Sequence, residues 1–335
     1  MRLSFTLLAL NAFQFVLAAP ELVKRASSSD VANVGYATLN GGTNGGSGGA
    51  AVTVTSLAAL TSAVADSSKK VVIVSGTITG NTVVKVGSNT SVVGKSGAAL
   101  VGVGLRVLDA KNVIIRNLKI SKVLASAGDA IAVQASSQVW IDHVDLSSDR
   151  DHDKYVAWAL KSAVISNTDD ADSINSYDGL LDITHGCTGV TVSSSKLYNH
   201  WKASLVGHSD SNGSEDTKIT VTYANNYWSN LNSRTPSFRF GRGHIFNNVF
   251  DNNNDGINTR KGAQLLVENN VWTGTSKPLY STDGGFAVAR GNDFGGASNT
   301  APAGSFTSAP YSYTLIPTSN VRSSVVSGAG QTLYI

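Results

Sequence analysis

The sequence predicts an all-β chain wound as a parallel β-helix, with a short N-terminal capping helix and wrapping loops, and three observations carry that prediction. First, an Asn-x-aromatic pattern recurs at a fixed step of 22 residues: Asn226/Trp228, Asn248/Phe250, Asn270/Trp272 and Asn292/Phe294. Second, alternating runs such as Ile219 to Tyr223 and Leu265 to Val267 precede three of the copies, so each copy reads as a strand entering a turn. Third, 33 glycines with only 15% charged residues fit a turn-rich β protein, and 41% hydrophobic residues in regular strand patterns argue against disorder. A fixed step of this size is the signature of a solenoid whose coils stack like on like. Stacked Asn side chains can then form a hydrogen-bonded ladder while the aromatics stack inside.

Taken in order, the chain opens on a targeting segment. Arg2 precedes an apolar run from Leu3 to Leu17 ending at Ala18 and Ala19, the form of a secretory signal peptide over residues 1–19. Lys24 and Arg25 then read as a dibasic processing site closing a propeptide over 20–25, so that the mature domain spans 26–335. Removal of 1–25 takes away Arg2, Lys24, Arg25 and Glu21, which lowers the formal charge from +3 to +1. That near-neutral balance excludes a general nucleic-acid binder. No later apolar run is long enough to span a membrane, so the expectation is a secreted, extracellular, soluble monomer.

Residues 26–50 are rich in Ser and Gly, and the run from Asn40 to Gly49 is too flexible for a core strand. Leu57, Leu60 and Val64 follow candidate N-caps Thr55 and Ser56 at helical spacing, which predicts a short helix placed to cover the open end of the solenoid. Strands are expected from Val71 through Val92 and Leu100 to Ile120. The repeat extends upstream through Asn117, His143 and Ser194, aligned with Asn225 at steps of 26, 51 and 31. The step of 51 is out of line, and removal of residues 155–176 reduces it to 29. That segment is foreign to the repeat. It reads either as a translated, retained intron, since its ends can encode splice signals, or as a surface loop. From Ser298 onward a Ser-, Thr- and Pro-rich tail is expected to wrap the helix or cap its far end. The single Cys187 cannot form an internal disulfide and reads as a buried free thiol. Sequons at Asn89 and Asn212 are candidate glycan sites.

Polar residues that do not fit the ladder cluster between 129 and 239. Asp178 and Asp182, at i and i+4, share a face if both stand on a strand. Lys202, Arg234 and Arg239 come from later coils, and coils stack about 4.8 Å apart, so acids and bases can assemble into one cleft. Each residue taken alone is most simply a solvated turn charge; the combination is more specific. Asp142 and His143 invite a triad or a metal, yet they occupy a ladder position and read as hydrogen-bonded turn residues. His185 and His208 share that ambiguity, and Trp201 and Trp228 fit core stacking better than sugar stacking.

Several long, ordered stretches are shared with a known family: Gly94-Lys-Ser96, Gly104-Leu-Arg-Val107, Asn112 to Leu118, Val-Trp-Ile-Asp-His over 139–143, Asp-Gly-Leu-Leu-Asp-Ile-Thr-His-Gly over 178–186, His-Trp-Lys-Ala-Ser-Leu-Val-Gly-His over 200–208, and Arg-Thr-Pro-Ser-Phe-Arg-Phe-Gly-Arg-Gly-His over 234–244. On these the chain resembles the fungal pectate lyases of the pectate/pectin lyase superfamily over nearly the whole mature sequence. The resemblance implies a single-stranded right-handed parallel β-helix that binds polygalacturonate or pectin. It implies Asp129, Asp178 and Asp182 as ligands of Ca2+, Arg234 as the base of a β-elimination, and Lys202 and Arg239 as binders of substrate carboxylates. Relatives often carry another acid two residues before Asp129, where this chain has Ala127. Two other readings stay open: a calcium-independent pectin lyase acting on methyl-esterified chains, and an inactive polysaccharide-binding β-helix. Asn167 to Asp170 resembles the acids of polygalacturonases, but the accompanying Gly-His-Gly and Arg-x-Lys signatures are absent from the sequence, which removes that reading.

Overall fold

The computed structural model describes residues 26–150 and 176–335. The expected leader, the propeptide, the Asn167 to Asp170 stretch and all of the atypical segment except Ser176 lie outside them.

Within the described residues the chain is a parallel β-solenoid of three faces. The first face is a ten-stranded sheet running from Ala50–Val54 to Phe286–Arg290, and every pairing in it is parallel. The other two faces meet at the long strand Ala99–Leu108, whose first residues pair with Lys119–Ser121 and whose last residues pair with Ile131–Gln134. Gly102 turns the corner between them at φ +71°; a Cβ there would stand 2.1 Å from the Gly80 carbonyl oxygen.

The second face carries Asp145–Ser147, Lys196–Lys202, Tyr227–Ser233, Val249–Asp251 and Val271–Thr273. Its register places Trp228 opposite Phe250 and Phe250 opposite Trp272. The rings stack as the 22-residue step predicts, with centroids 5.7 Å apart for Trp228 and Phe250, 4.6 Å for Phe250 and Trp272, and 5.2 Å for Trp272 and Phe294. Trp228 is fully buried, so it belongs to this stack and not to a sugar surface.

The Asn ladder runs beside the rings. Asn248 Oδ1 accepts from the backbone N–H and the Nδ2 of Asn226, and Asn248 Nδ2 donates in turn to Asn270 Oδ1. Asn292 closes the series by accepting from Asn270. Upstream, the aligned residues Asn117, His143, Ser194 and Asn225 form a neighbouring column. All of them adopt the left-handed backbone, as do Asn247 and Asn269. The 22-residue pattern therefore contains two stacked features: a left-handed turn residue and, one position later, a ladder Asn. Asn tolerates the left-handed region better than most residues, which explains its prevalence in the first column.

Helix α1, Leu57–Val64, forms as the spacing predicts, with Ser56 as N-cap accepting from the Ala59 N–H at 3.3 Å. Leu60 and Val64 are fully buried, and α1 packs on the first strands of the solenoid as a cap on its N-terminal end. The Gly-rich run from Asn40 to Gly49 forms no strand, but it is closely packed: Thr43 is fully buried, and a Cβ on Gly46 would stand 1.6 Å from the Lys70 carbonyl oxygen. Close backbone approach, more than flexibility, explains those glycines.

The C-terminal tail wraps, as expected. Tyr311 and Tyr313 pack around His244, the C-terminal helix Thr318–Val326 buries Val321 and Val325 against the second face, and Leu333 exchanges backbone hydrogen bonds with the Asn117 side chain. Cys187 is buried and unbridged, with its thiol pushed up to about 12, chiefly by burial. No helix among the described residues is long and apolar enough to cross a membrane.

Candidate active site

The third face is built from Ile131–Gln134, Leu181–Thr184, Leu205–Val206, Ser237–Arg239, Ile257–Arg260 and Leu279–Ser281, and the candidate site residues lie along it. Asp129 stands in the turn before the first of these strands. Asp182 lies on the second, paired in register with Ala132. Asp178 is not on that strand; it occupies the turn ahead of it, so the expectation that i and i+4 on one strand align the two acids is corrected. The turn reaches the same place by another route. His200 Nε2 bonds the Asp178 carbonyl oxygen at 2.5 Å, and Lys202 Nζ donates to Asp178 Oδ1 at 3.1 Å.

Gly179 is the hinge of the constellation. Its N–H donates to Asp129 Oδ1 at 2.9 Å. A Cβ built on it would lie 2.8 Å from both Asp129 Oδ1 and Asp182 Oδ1, so two carboxylate oxygens converge on the space over its α-carbon. That space is a cradle that any side chain would fill. Asp182 Oδ1 also accepts the Leu205 N–H at 2.9 Å, which fixes its rotamer.

Burial is the largest influence on these acids. It raises the Asp129 carboxyl well above the usual range, with Asp182 and Asp178 adding to the effect and Arg234 opposing it. Asp182 is pushed up to about 6, again chiefly by burial, with Arg234 and the Leu205 N–H pulling the other way. Like charges held close in a dry site disfavour ionisation, and an added cation reverses that preference. Among the described residues, no set of three acid, His or Cys side chains closes on one point to hold an ion unaided. Two converging carboxylates with a third beside them suit a hard cation that completes its shell with water and ligand oxygens, and calcium is such a cation.

Arg234 enters from the coil after Lys202. Its backbone is left-handed at φ +62°, and its carbonyl accepts the Ser204 N–H at 2.8 Å. Asp255, one coil further on, holds this turn. Its carboxylate bonds the Arg234 N–H and accepts the Tyr280 hydroxyl at 2.9 Å, and the Thr235 hydroxyl donates to its carbonyl at 2.8 Å. Burial pushes Asp255 up to about 6 despite those bonds. Neither Asp255 nor His200 was marked by sequence reasoning. The signal available was spacing: Asp255 stands 21 residues after Arg234, nearly one coil step.

Five of the six predicted residues thus gather: Asp129, Asp178, Asp182, Lys202 and Arg234. Arg239 lies further along the face, where Asp210 accepts its Nε at 2.5 Å. Its value is lowered by burial, with Asp210 opposing and Arg260 and Arg234 reinforcing the shift.

Asp142 and His143 take the hydrogen-bonded turn positions expected of them, whereas Trp201, expected in the core stack, is only half-buried. Asp142 is buried and accepts from Arg116 Nε at 2.8 Å and Ser193 Oγ at 2.7 Å, with His143 Nδ1 at 2.6 Å. Burial opposes its ionisation, but those partners hold its carboxyl below the ordinary value. His185 pairs with Glu215 at 3.1 Å, and its ring lies 4.2 Å from that of His208.

Comparison with known proteins gives the family and the fold. A family model described as pectate lyase matches residues 10–333. A probable pectate lyase A of Aspergillus fumigatus is 56% identical over 99% of this chain and 99% of its own length. The pectate lyase A of Aspergillus niger is 56% identical over 96% and 95%. Among solved structures, a pectate lyase from Bacillus sp. N165 in complex with trigalacturonate superposes with TM-score 0.76 at 31% identity, covering 90% of this chain and 99% of that one. Pectate lyase II of Xanthomonas campestris gives 0.73 at 26%, covering 90% and 98%. With the family model spanning all but the ends of the sequence and relatives matching it end to end, the chain belongs to the pectate lyase family.

Proposed function

We propose that the chain is a secreted, calcium-dependent pectate lyase that cleaves polygalacturonate by β-elimination and releases oligogalacturonides unsaturated between C4 and C5. The observation that carries this reading is the convergence of Asp129 and Asp182 oxygens over Gly179, with Asp178 and Arg234 beside them. Asp129, Asp178 and Asp182 would hold the ion. Bound calcium would draw electron density from the uronate carboxylate and acidify the proton on C5. Arg234 is assigned the removal of that proton. The C5–H electron pair then forms the C4–C5 double bond, and the C4–oxygen bond breaks towards the leaving sugar, whose oxygen takes up a proton. Lys202 and Arg239 bind uronate carboxylates, a task suited to ammonium and guanidinium groups. Asp255 and His200 are positioning residues that hold the backbone of Arg234 and Asp178.

Pectin lyase is the second reading, and the full set of three carboxylates disfavours it. The test is ultraviolet absorbance of the unsaturated product with polygalacturonate, in calcium or in chelator. Activity only with calcium is expected. Chelator-insensitive activity favouring methyl-esterified pectin supports pectin lyase, and silence in both conditions overturns the lyase assignment. The secreted protein is expected to begin at Ala26, and peptide mass spectrometry should find no abundant peptides from Ala159 to Asn175 if that stretch is a retained intron. Glycans at Asn89 and Asn212 complete the reading.

A further inference from the structure

The turn before helix α2 (Gly213–Asp216) carries Asp210, and its carboxylate is shared among three cations. Arg239 Nε donates to Asp210 Oδ1 at 2.5 Å, Arg260 Nη2 lies 3.4 Å from the same oxygen, and Lys261 Nζ lies 3.3 Å from Oδ2. Arg260 also pairs with Asp283 at 2.9 Å. Arg239 and Arg260 are register partners on adjacent strands of the third face, so the cluster continues the line of Lys202, Arg234 and Arg239 by one coil. Three cations against two carboxylates leave it with a net charge of +1.

The burial is uneven. The side chains of Arg239 and Arg260 are 15% and 19% exposed, whereas that of Asp210 is 44% exposed. Arg239 and Arg260 are therefore fixed in the floor, Lys261 stands more open at its edge, and the carboxylate is laid on them from outside. The loop behind Asp210 is anchored separately. Buried Asp216 accepts the Gly186 N–H at 2.8 Å and the His208 N–H at 2.7 Å. Release of Arg239 and Lys261 thus requires rotation of one exposed side chain, not unfolding of the loop, while Arg260 keeps its pair with Asp283.

We propose that Asp210 is an internal stand-in for a uronate carboxylate: Arg260 and Lys261 extend the uronate position assigned above to Arg239, and an incoming polygalacturonate chain displaces Asp210 from it. This rests on the polygalacturonate reading above and deepens it, because it gives the chain a device for selecting free acids. A free uronate brings the charge that replaces Asp210. A methyl-esterified sugar does not, and leaves the Asp210 contacts intact.

The test is calorimetric binding of trigalacturonate and of its fully methyl-esterified form to the full chain in chelator, so that no turnover is needed. Asp210→Asn keeps the shape and removes the charge; it is expected to tighten trigalacturonate binding by about two- to fivefold, the scale of an exposed ion pair, and to leave the esterified ligand unaffected. Arg260→Gln and Lys261→Gln are expected to weaken trigalacturonate binding. In turnover with calcium, the Asp210→Asn effect should fall on KM. Weaker or unchanged trigalacturonate binding in Asp210→Asn overturns the proposal, because Asp210 then only positions Arg239. An equal gain for both ligands, or no binding to any variant, overturns it as well. Failure of the lyase reading looks different: the parent releases no unsaturated product, yet Asp210→Asn still binds trigalacturonate more tightly.

Discussion

Gly179→Ala places one methyl group where the structure has the cradle. The added carbon would stand 2.8 Å from Asp129 Oδ1, 2.8 Å from Asp182 Oδ1 and 3.2 Å from Asp182 Cγ. Carbon–oxygen contacts settle nearer 3.3 Å, so each oxygen must retreat by roughly half an ångström. Neither moves freely: Asp129 Oδ1 is bonded to the Gly179 N–H, and Asp182 Oδ1 to the Leu205 N–H. Gly179 is absent from the left-handed positions, so alanine suits the backbone and the effect is one of space alone. Overpacking of this kind costs about 1–3 kcal/mol, less the few tenths that alanine returns by restricting the unfolded chain. Function should suffer more than stability, because misplacement of ligands by half an ångström to an ångström lowers turnover by about ten- to a hundredfold. The assays are a thermal melt in chelator, the calcium dependence of the melt, and the initial rate of unsaturated product. The expected result is a modest loss of stability with a large loss of calcium response and rate. An unchanged calcium response and rate would refute the claim that the two carboxylates meet over Gly179 to hold the ion.

Arg234→Ala should lower kcat by at least about a thousandfold while leaving the melt within about 1 kcal/mol of the parent; retained turnover removes Arg234 from the base role. Asp182→Asn should abolish calcium-dependent activity yet raise the melting temperature in chelator at pH 8. The carboxyl is pushed from 3.8 up to about 6 in the fold, so ionising it there disfavours the folded state by roughly 3 kcal/mol, and Asn avoids that; a lowered melt contradicts the burial argument. Asn248→Ala strands the Asn226 and Asn270 partners and two carbonyls, and should destabilise by about 3 kcal/mol or more in chemical denaturation. His200 and His244 are held neutral at about 4 by burial, below the ordinary 6.5. The unfolded chain therefore protonates first, and their contribution, present above pH 6.5, is lost as pH falls towards about 4. Asp182 and Asp255, raised to about 6, act in the opposite sense, gaining stability as pH falls through 6. His244→Gln should accordingly be more stable at pH 4.5, relative to pH 7.5, than the parent; an unaltered pH dependence would contradict the assignment.

The solenoid was legible because like side chains stack: a 22-residue step fixes Trp228, Phe250 and Trp272 in one column whatever the rest of each coil does. The two columns inside that step, left-handed turn and ladder Asn, were not separable by pattern, since Asn serves both. Residues of the site were legible by type and order, not by geometry. Asp178 shows why: its position comes from the His200 and Lys202 contacts made one coil later, which strand periodicity does not encode. Gly179, Asp255 and Asp210 escaped because each acts through a neighbour. A glycine leaves room, one carboxylate holds a backbone turn and another covers cations, and none of these roles carries a local signature.

The central claim is that this chain breaks polygalacturonate by elimination and needs calcium to do so. Mass spectrometry of the products formed from trigalacturonate tests it most directly, with calcium, with chelator, and with calcium restored after chelation. The account predicts, in the first and third samples, one saturated fragment paired with one fragment a water lighter than its hydrolysis counterpart, and intact substrate in the second. Fragments at the hydrolysis masses alone, with no partner one water lighter, or elimination products undiminished by chelator, would contradict it.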